Sequence, residues 1–465
     1  MRPETKAYNF DWMLWRTLDL ACNAMTGTEK ELKIVMRHIP YFKDILDVFL
    51  AYGEPGKIFL KLVYEYMDNI MTAHEKGKKI CGTTFCFSPA ILYAMDTVPV
   101  TLELVTVLIN SLWKRGIGEF SDFCYEAGLT ETSCSSQRGA LGAYLAGLGE
   151  TFDFIVADTP GVCDTNANAF AFASAYLNKP AFALTFPDRL TGDDVDNYHQ
   201  KDYRRMIDFL EEQTGNRLDT DRLREVLQEI KKQDEILAEL EELQRAVPSP
   251  LPVTYNFFIY AGRFFFAGKP LLTELLLSMR DIAVTNMQEE RCGLPSGKEN
   301  TRALFCYIDH YTTNLALWSW LEERGITHMG NILSRFWADN TPYNQNRSNA
   351  YNIDSTNLDT MIDSLAAQNS RMPMVKSIRG PYDAPGMWLE DTLSLAQMYR
   401  ADCIIYSGTP GCRNTWGMVK LLARDTEEAG FPTHIMYSDS FDERVESWEA
   451  TSARLDEFFA VRGLL

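Results

Sequence analysis

The sequence predicts an α/β protein with two Rossmann-like, flavodoxin-like parallel-sheet domains, an N-terminal helical segment, and a helical arm between the domains. Three observations carry this prediction. Short β-branched and aromatic runs alternate with helix-like segments in two separate stretches, beginning near residues 80 and 300, as a helix-covered parallel sheet requires. Between these stretches lies a charged segment with apolar residues at helical spacing. One loop also occurs twice, as TPGVCDT at 159–165 and TPGCRNT at 409–415, each time after a strand-like run and before a helix-like one. A chain of 465 residues also exceeds what one core usually holds, so more than one domain is expected.

Residues 1–78 read as the helical segment, because MLWRTLDLA, YFKDILDVFLAYG and KIFLKLVYEYMDNIMTAHEKG each place apolar residues three and four apart. The period changes in the first α/β domain, 79–195. KICGTTFCF and VPVTLELVTVLI read as strands flanking a short helix at 88–96, and SQRGALGAYLAGL reads as a helix. FDFIVAD is then a buried strand, ANAFAFASAYLN a helix and AFALTFP a further strand. Residues 196–250 form the arm, where Leu223, Leu227, Ile230, Ile236, Leu237, Leu240 and Leu243 share one face. That repeat is too short for a coiled-coil seam, so the face is expected to pack on its own domain. Pro248 and Pro250 end it. In the second domain, 251–465, the strands are TRALFCYID, ITHMGNI, CIIYSG and HIMYSD, with helices near 310–324, 355–368, 388–400 and 414–430. An amphipathic helix around DERVESWEATSARLDEFFAVRG closes the chain.

The balance of 45 basic against 64 acidic residues, a net charge of −19, argues against nucleic acid or an anionic membrane as a partner. MRPETKAYNFDWMLWRTLDL lacks the unbroken apolar core of a signal peptide, and NFFIYAGRFFFAG is short and interrupted by Arg263. A cytoplasmic location is expected, where ten cysteines serve as thiols or metal ligands rather than disulfides.

A nucleotide switch is the first chemistry to test, because IVADTPG resembles the metal-facing loop of many GTPases. Such a protein needs a GxxxxGK[ST] phosphate loop. CGLPSGKEN has the wrong spacing with Glu299 after the lysine, and AGRFFFAGKP has one residue too many and ends in Pro270. No GxGxxG follows a strand. The six histidines form no HExxH, and no CxxC pair exists for a zinc ribbon. What remains is a set of cysteines in similar settings: Cys134 in ETSCSSQRG, Cys163 in TPGVCDTN and Cys412 in TPGCRNT. Each precedes a predicted helix and is followed by good helix-capping residues, a position where the helix dipole favours a thiolate. Three thiolates meeting from two domains would hold an iron–sulfur cluster; three separate loop thiols are the alternative reading. Cys22, Cys124, Cys292, Cys306 and Cys403 lie in apolar or amphipathic stretches and read as core or surface thiols.

The order of these features resembles the 2-hydroxyacyl-CoA dehydratase family, which includes the ATP-dependent benzoyl-CoA reductase subunits. The resemblance rests on GTTFCFSPAILYAMDTVPV, CSSQRGALGAYL, FDFIVADTPGVCDT, LQRAVPSPLP, ADCIIYSGTPGCRNTWG and HIMYSDSFDER, and covers most of the chain from about residue 80. It implies a [4Fe-4S] cluster held by Cys134, Cys163 and Cys412. It further implies an acyl-CoA substrate, a dimer with itself or a related subunit, and a separate ATP-hydrolysing iron–sulfur activator that delivers one electron. That electron passes to the thioester carbonyl, and the resulting ketyl radical expels the 2-hydroxyl group. An oxygen-sensitive lyase subunit is expected on this basis. The alternatives are a benzoyl-CoA reductase-like low-potential reductase subunit, a non-catalytic iron–sulfur electron-transfer protein, and a binding module that keeps the fold without the metal. One departure concerns the acid that many members carry in a Pro-x-Glu-Leu stretch. Here SPAILYAMD has Ala90 in that place, with Ser88, Asp96 and Glu103 nearby. Ser88 and Asp96 are the candidates for acid–base work, and Cys81 and Cys86, in the same loop, for a further cluster ligand or for packing.

Overall fold

The computed structural model describes residues 10–26, 51–86, 88–112, 116–130, 133–149, 152–158, 163–185, 193–307, 314–332, 353–370, 387–412 and 416–465. Two of the expected N-terminal helices are present, at Phe10–Thr26 and Glu54–Thr72, while YFKDILDVFLAYG lies largely outside the described residues.

Two four-stranded sheets carry the fold, and all their strands are parallel. The first contains β1 (Ile80–Thr83), β2 (Val98–Thr101), β3 (Phe154–Asp158) and β4 (Ala181–Leu184), in the order β2-β1-β3-β4. The second contains β5 (Thr301–Tyr307), β6 (Ile326–Asn331), β7 (Cys403–Ser407) and β8 (Thr433–Ile435), in the order β6-β5-β7-β8. The two orders are the same, so the chain reverses its direction of travel between β1 and β3 in one domain and between β5 and β7 in the other. In such sheets ligands bind at the carboxyl ends of the strands flanking that reversal.

Helices cover both faces of the first sheet, which explains why FIVA, up to the terminal Asp158, is apolar throughout rather than alternating. Ile155 and Ala157 face a core shared with the helix Ser135–Leu145, while Phe154 and Val156 face a second core with the arm. VPVTLELVTVLI, expected to be one strand, divides: β2 ends at Thr101 and Leu102–Leu112 is a helix. Leu102, Leu104, Val105, Leu108 and Ile109 are all buried, so the helix has no polar face to mark its period.

The arm consists of the helices Asp193–Thr214 and Thr220–Gln244. Leu223, Leu227, Ile230, Ile236, Leu237 and Leu240 are buried within the protein, as expected of a face packed on its own chain. Arg302 terminates the second helix by donating to the carbonyls of Gln244 at 3.0 Å and Ala246 at 2.8 Å, where a cation is also favoured by the helix dipole. NFFIYAGRFFFAG supplies the buried helix Tyr255–Phe265, whose aromatic residues pack against Phe59 of the N-terminal segment.

The two domains meet through the segment after β8. Asp439 accepts from the Ser135 hydroxyl at 2.5 Å and from the backbone N–H groups of Phe441 and Asp442, each at 2.9 Å. Asn110 donates to the Phe441 carbonyl at 3.2 Å, and Arg444 bridges to Asp122 at 3.0 Å. These bonds seat the second domain against the start of the helix Ser135–Leu145, next to Cys134.

Candidate functional site

The two TPG-containing loops are topological equivalents, because Cys163 follows the third strand of its sheet in chain order and Cys412 follows the third strand of the other. Cys163 is itself the N-cap of the helix Asp164–Leu177, and its sulfur accepts from the Asn166 N–H at 3.5 Å. Cys134 is likewise the N-cap of Ser135–Leu145, so the helix begins one residue earlier than its capping serines suggested. At Cys412 the N–H donates to the Thr409 carbonyl at 2.8 Å and the carbonyl accepts from the Trp416 N–H at 2.9 Å.

Cys412 acts on both of the other two cysteines, and Cys134 acts on Cys163. Burial, then the Cys412 thiol, push Cys134 up to about 12, and burial, Cys412, Asp158 and Cys134 raise Cys163 well above the ordinary thiol range. The helix-dipole expectation of a favoured thiolate is overruled here: enclosure in a low-dielectric setting and like charges nearby both oppose ionisation. Ser136 supports Cys134 from 3.0 Å. None of the ten cysteines is in a disulfide. Among the described residues, no group of three or more His, Cys, Asp or Glu stands where it could hold a metal ion.

A buried polar network adjoins the thiols along the carboxyl edge of the first sheet. Thr84, after β1, donates to Glu103 Oε1 at 2.8 Å, and Gln137 Nε2 reaches the same oxygen at 3.2 Å. Asn166 donates to Thr84 at 2.7 Å and to Cys86 Sγ at 3.4 Å, and its amide oxygen accepts from Gln137. Asp158 ends β3 at 3.5 Å from the same Asn166 amide. Burial raises both Glu103 and Asp158 to about 7, and the Glu103 charge adds to the shift of Asp158. Glu103 Oε2 and Asp158 Oδ2 are enclosed without a hydrogen-bond partner among the described residues, a state a carboxyl tolerates when it is protonated. Glu103 and Ser136 face a narrow crevice whose other walls include Phe85, Tyr260, Phe265 and Phe441.

The other residues singled out by sequence separate. Cys86 lies with the thiols, since Asp158, Cys163 and Glu103 all raise its pKa after burial does. Cys81, five residues earlier in β1, points to the opposite face and packs with Ile91, Phe154 and Val156. Ser88 accepts from the Ala90 N–H at 3.4 Å at the start of the short helix Ala90–Ala94. Asp96 precedes β2 at the amino edge of the sheet, where Lys78 at 2.9 Å and Arg222 at 3.0 Å share its Oδ1. It is thus remote from the cysteines. Sequence reasoning passed over Asn166, Gln137, Thr84 and Asp158; the only available signal was their closeness to the cysteine loops or strand ends. Cys124, Cys292, Cys306 and Cys403 are buried and Cys22 is half-buried.

Fold and site define a two-domain α/β protein that gathers thiols and carboxyl groups at the sheet edges where such folds bind ligands. A family model described as 2-hydroxyglutaryl-CoA dehydratase, D-component, matches residues 84–460. The chain belongs to that family, a family of dehydratase components named for acyl-CoA chemistry. No curated protein matches the sequence. Among the described residues, no helix is long and apolar enough to cross a membrane.

Proposed function

We propose that the protein is the iron–sulfur subunit of a 2-hydroxyacyl-CoA dehydratase-like enzyme, in which Cys134, Cys163 and Cys412 hold a [4Fe-4S] cluster beside the acyl-CoA. The observation that carries this reading is that Cys412, from the second domain, lies close enough to Cys134 and Cys163 of the first to raise the pKa of both. Cys134 and Cys163 hold their protons in this setting, and bound iron supplies the positive charge that lets such thiols ionise. Ligands of a single ion crowd around one centre, whereas a cubane spreads its thiolates over separate irons. The lack of a single-ion site among the described residues is compatible with this donor set. When bound, such a cluster supplies one-electron chemistry to the thioester, with the electron coming from an ATP-dependent activator.

The chain's own residues provide the proton chemistry and the dry setting. Glu103, near 7, holds a proton around neutral pH and lines the cavity. It can hand that proton to a leaving hydroxyl and take one back, the task for which Ala90 offers no acid. Thr84 and Gln137 fix one carboxyl oxygen, so Glu103 cannot rotate away. Phe85, Phe265 and Phe441 exclude water from the cavity. Cys86 is a neighbour of the set, held by Asn166, and the subunit acts in the cytoplasm as a dimer with itself or a related chain.

Anaerobic purification tests the reading. Brown protein with about four iron and four sulfide per chain is expected, and Cys163→Ser or Cys412→Ser should lose most of it. Colourless, iron-free protein overturns the proposal, and full iron in either variant overturns the ligand assignment. A change in the cluster spectrum on adding an acyl-CoA separates an enzyme from an electron carrier.

A further inference from the structure

We propose that the amino edge of the first sheet holds a second site, one that binds a phosphate group. A partly open pocket lies there, and Lys78, Arg222 and Lys269 all line it. In a chain with a net charge of −19 this convergence of cations runs against the overall balance. Their counter-charges in the pocket are Asp96 and Glu65. Asp96 spends a single oxygen on both Lys78 and Arg222, and Glu65 sits close to half exposed and also reaches Lys61 at 4.0 Å. The pocket carries three positive charges against two negative ones, and among the described residues the third cation makes no ion pair.

That cation is Lys269. Its ammonium lies 4.1 Å from the centre of the Tyr93 ring, a favourable contact but no substitute for an anion. Its backbone is fixed, because buried Gln233 donates to the Lys269 carbonyl and accepts from the Gly268 N–H, each at 2.9 Å. Lys269 is also the N-cap of the helix Pro270–Gln288, and Arg222 stands in the first turn of Thr220–Gln244. Both are helix ends where the backbone is already positive and where cations are disfavoured. Burial, Arg222 and Lys78 outweigh the attraction of Glu65 and Asp96 and make Lys269 easier to deprotonate than an ordinary lysine. A bound anion relieves all of these costs at once, and convergent cations at helix N-termini are how proteins hold phosphate. Tyr66 and Phe266 add apolar wall beside the cations, which suits the body of an organic phosphate. This site faces away from the cysteines and stands independently of the proposed cluster.

Calorimetric titration of the intact protein with pyrophosphate and with ADP, at matched low ionic strength, tests it. Wild type should bind at least one of the two, and Lys269→Met should weaken that binding by tenfold or more. Asp96→Asn, which removes the resident counter-charge, should tighten it by roughly tenfold and enlarge the ligand-induced rise in melting temperature. Tighter binding of ADP than of pyrophosphate assigns an organic phosphate to the site, and the reverse assigns the free anion. Binding of neither probe by wild type and Asp96→Asn overturns the proposal. So does binding that Lys269→Met leaves unchanged, because a nucleotide seated at the carboxyl edge would not depend on Lys269.

Discussion

Replacing Glu103 with glutamine should change how stability depends on pH. In the unfolded chain this carboxyl ionises near 4.5, whereas in the folded protein burial holds its proton to about 7. Between those values the folded state binds the extra proton, so stability falls as pH rises through the window and levels off above it. The gap between 4.5 and about 7 corresponds to about 3 kcal/mol at about 1.4 kcal/mol per pH unit, and water entry around the charged form lowers this ceiling. Glutamine keeps the shape and cannot ionise. Relative to wild type, Glu103→Gln should therefore gain stability progressively from pH 5 to pH 8, by up to about 3 kcal/mol. Asp158 should titrate lower in the variant, because the Glu103 charge contributes to its shift. Urea unfolding followed by tryptophan fluorescence at several pH values, on proteins prepared identically, reads the difference. Parallel pH profiles for the two proteins would refute the assignment of a buried, proton-holding Glu103.

Three further expectations concern the scaffold of the site. A Cβ added at Gly142 would stand 2.1 Å from the Phe120 carbonyl oxygen, and since backbone cannot yield as a side chain does, Gly142→Ala should cost about 3 kcal/mol or more; an unchanged melting temperature would contradict this packing. Arg302→Met leaves Glu299 buried without its cation at 3.2 Å and two carbonyls without their donor, a loss of about 3–5 kcal/mol that a second change, Glu299→Gln, should partly restore; a loss below about 1 kcal/mol in denaturant would sink the argument. Ser135→Ala removes one bond across the domain junction while Asp439 keeps its two backbone donors, so about 1–2 kcal/mol is expected, and a midpoint identical to wild type would show that the junction does not rely on it.

Much of the architecture is legible in local pattern. FDFIVAD and CIIYSG are apolar on both faces because parallel strands are covered on both sides. The recurrence of TPG with a following cysteine correctly marked two equivalent loops, each after the third strand of a sheet. The helix Leu102–Leu112 was misread as strand because burial all round erases the polar face that reveals a helical period.

The site itself was legible only in part. Strand direction and the loop after it separate Cys81 from Cys86: β1 turns Cys81 to the arm side, and the chain past Thr83 carries Cys86 to Asn166. Asp96 and Glu103 are both acids flanking β2, yet one is at the amino edge between cations and the other is enclosed at the carboxyl edge. By itself the sequence determined the strand–helix alternation, the paired loops and the supply of thiols, because these follow from residue spacing along the chain. Only the tertiary structure decided which thiols and carboxyls share one buried edge and which acid keeps its proton, because proton affinity depends on solvent exclusion and on charges brought close through space.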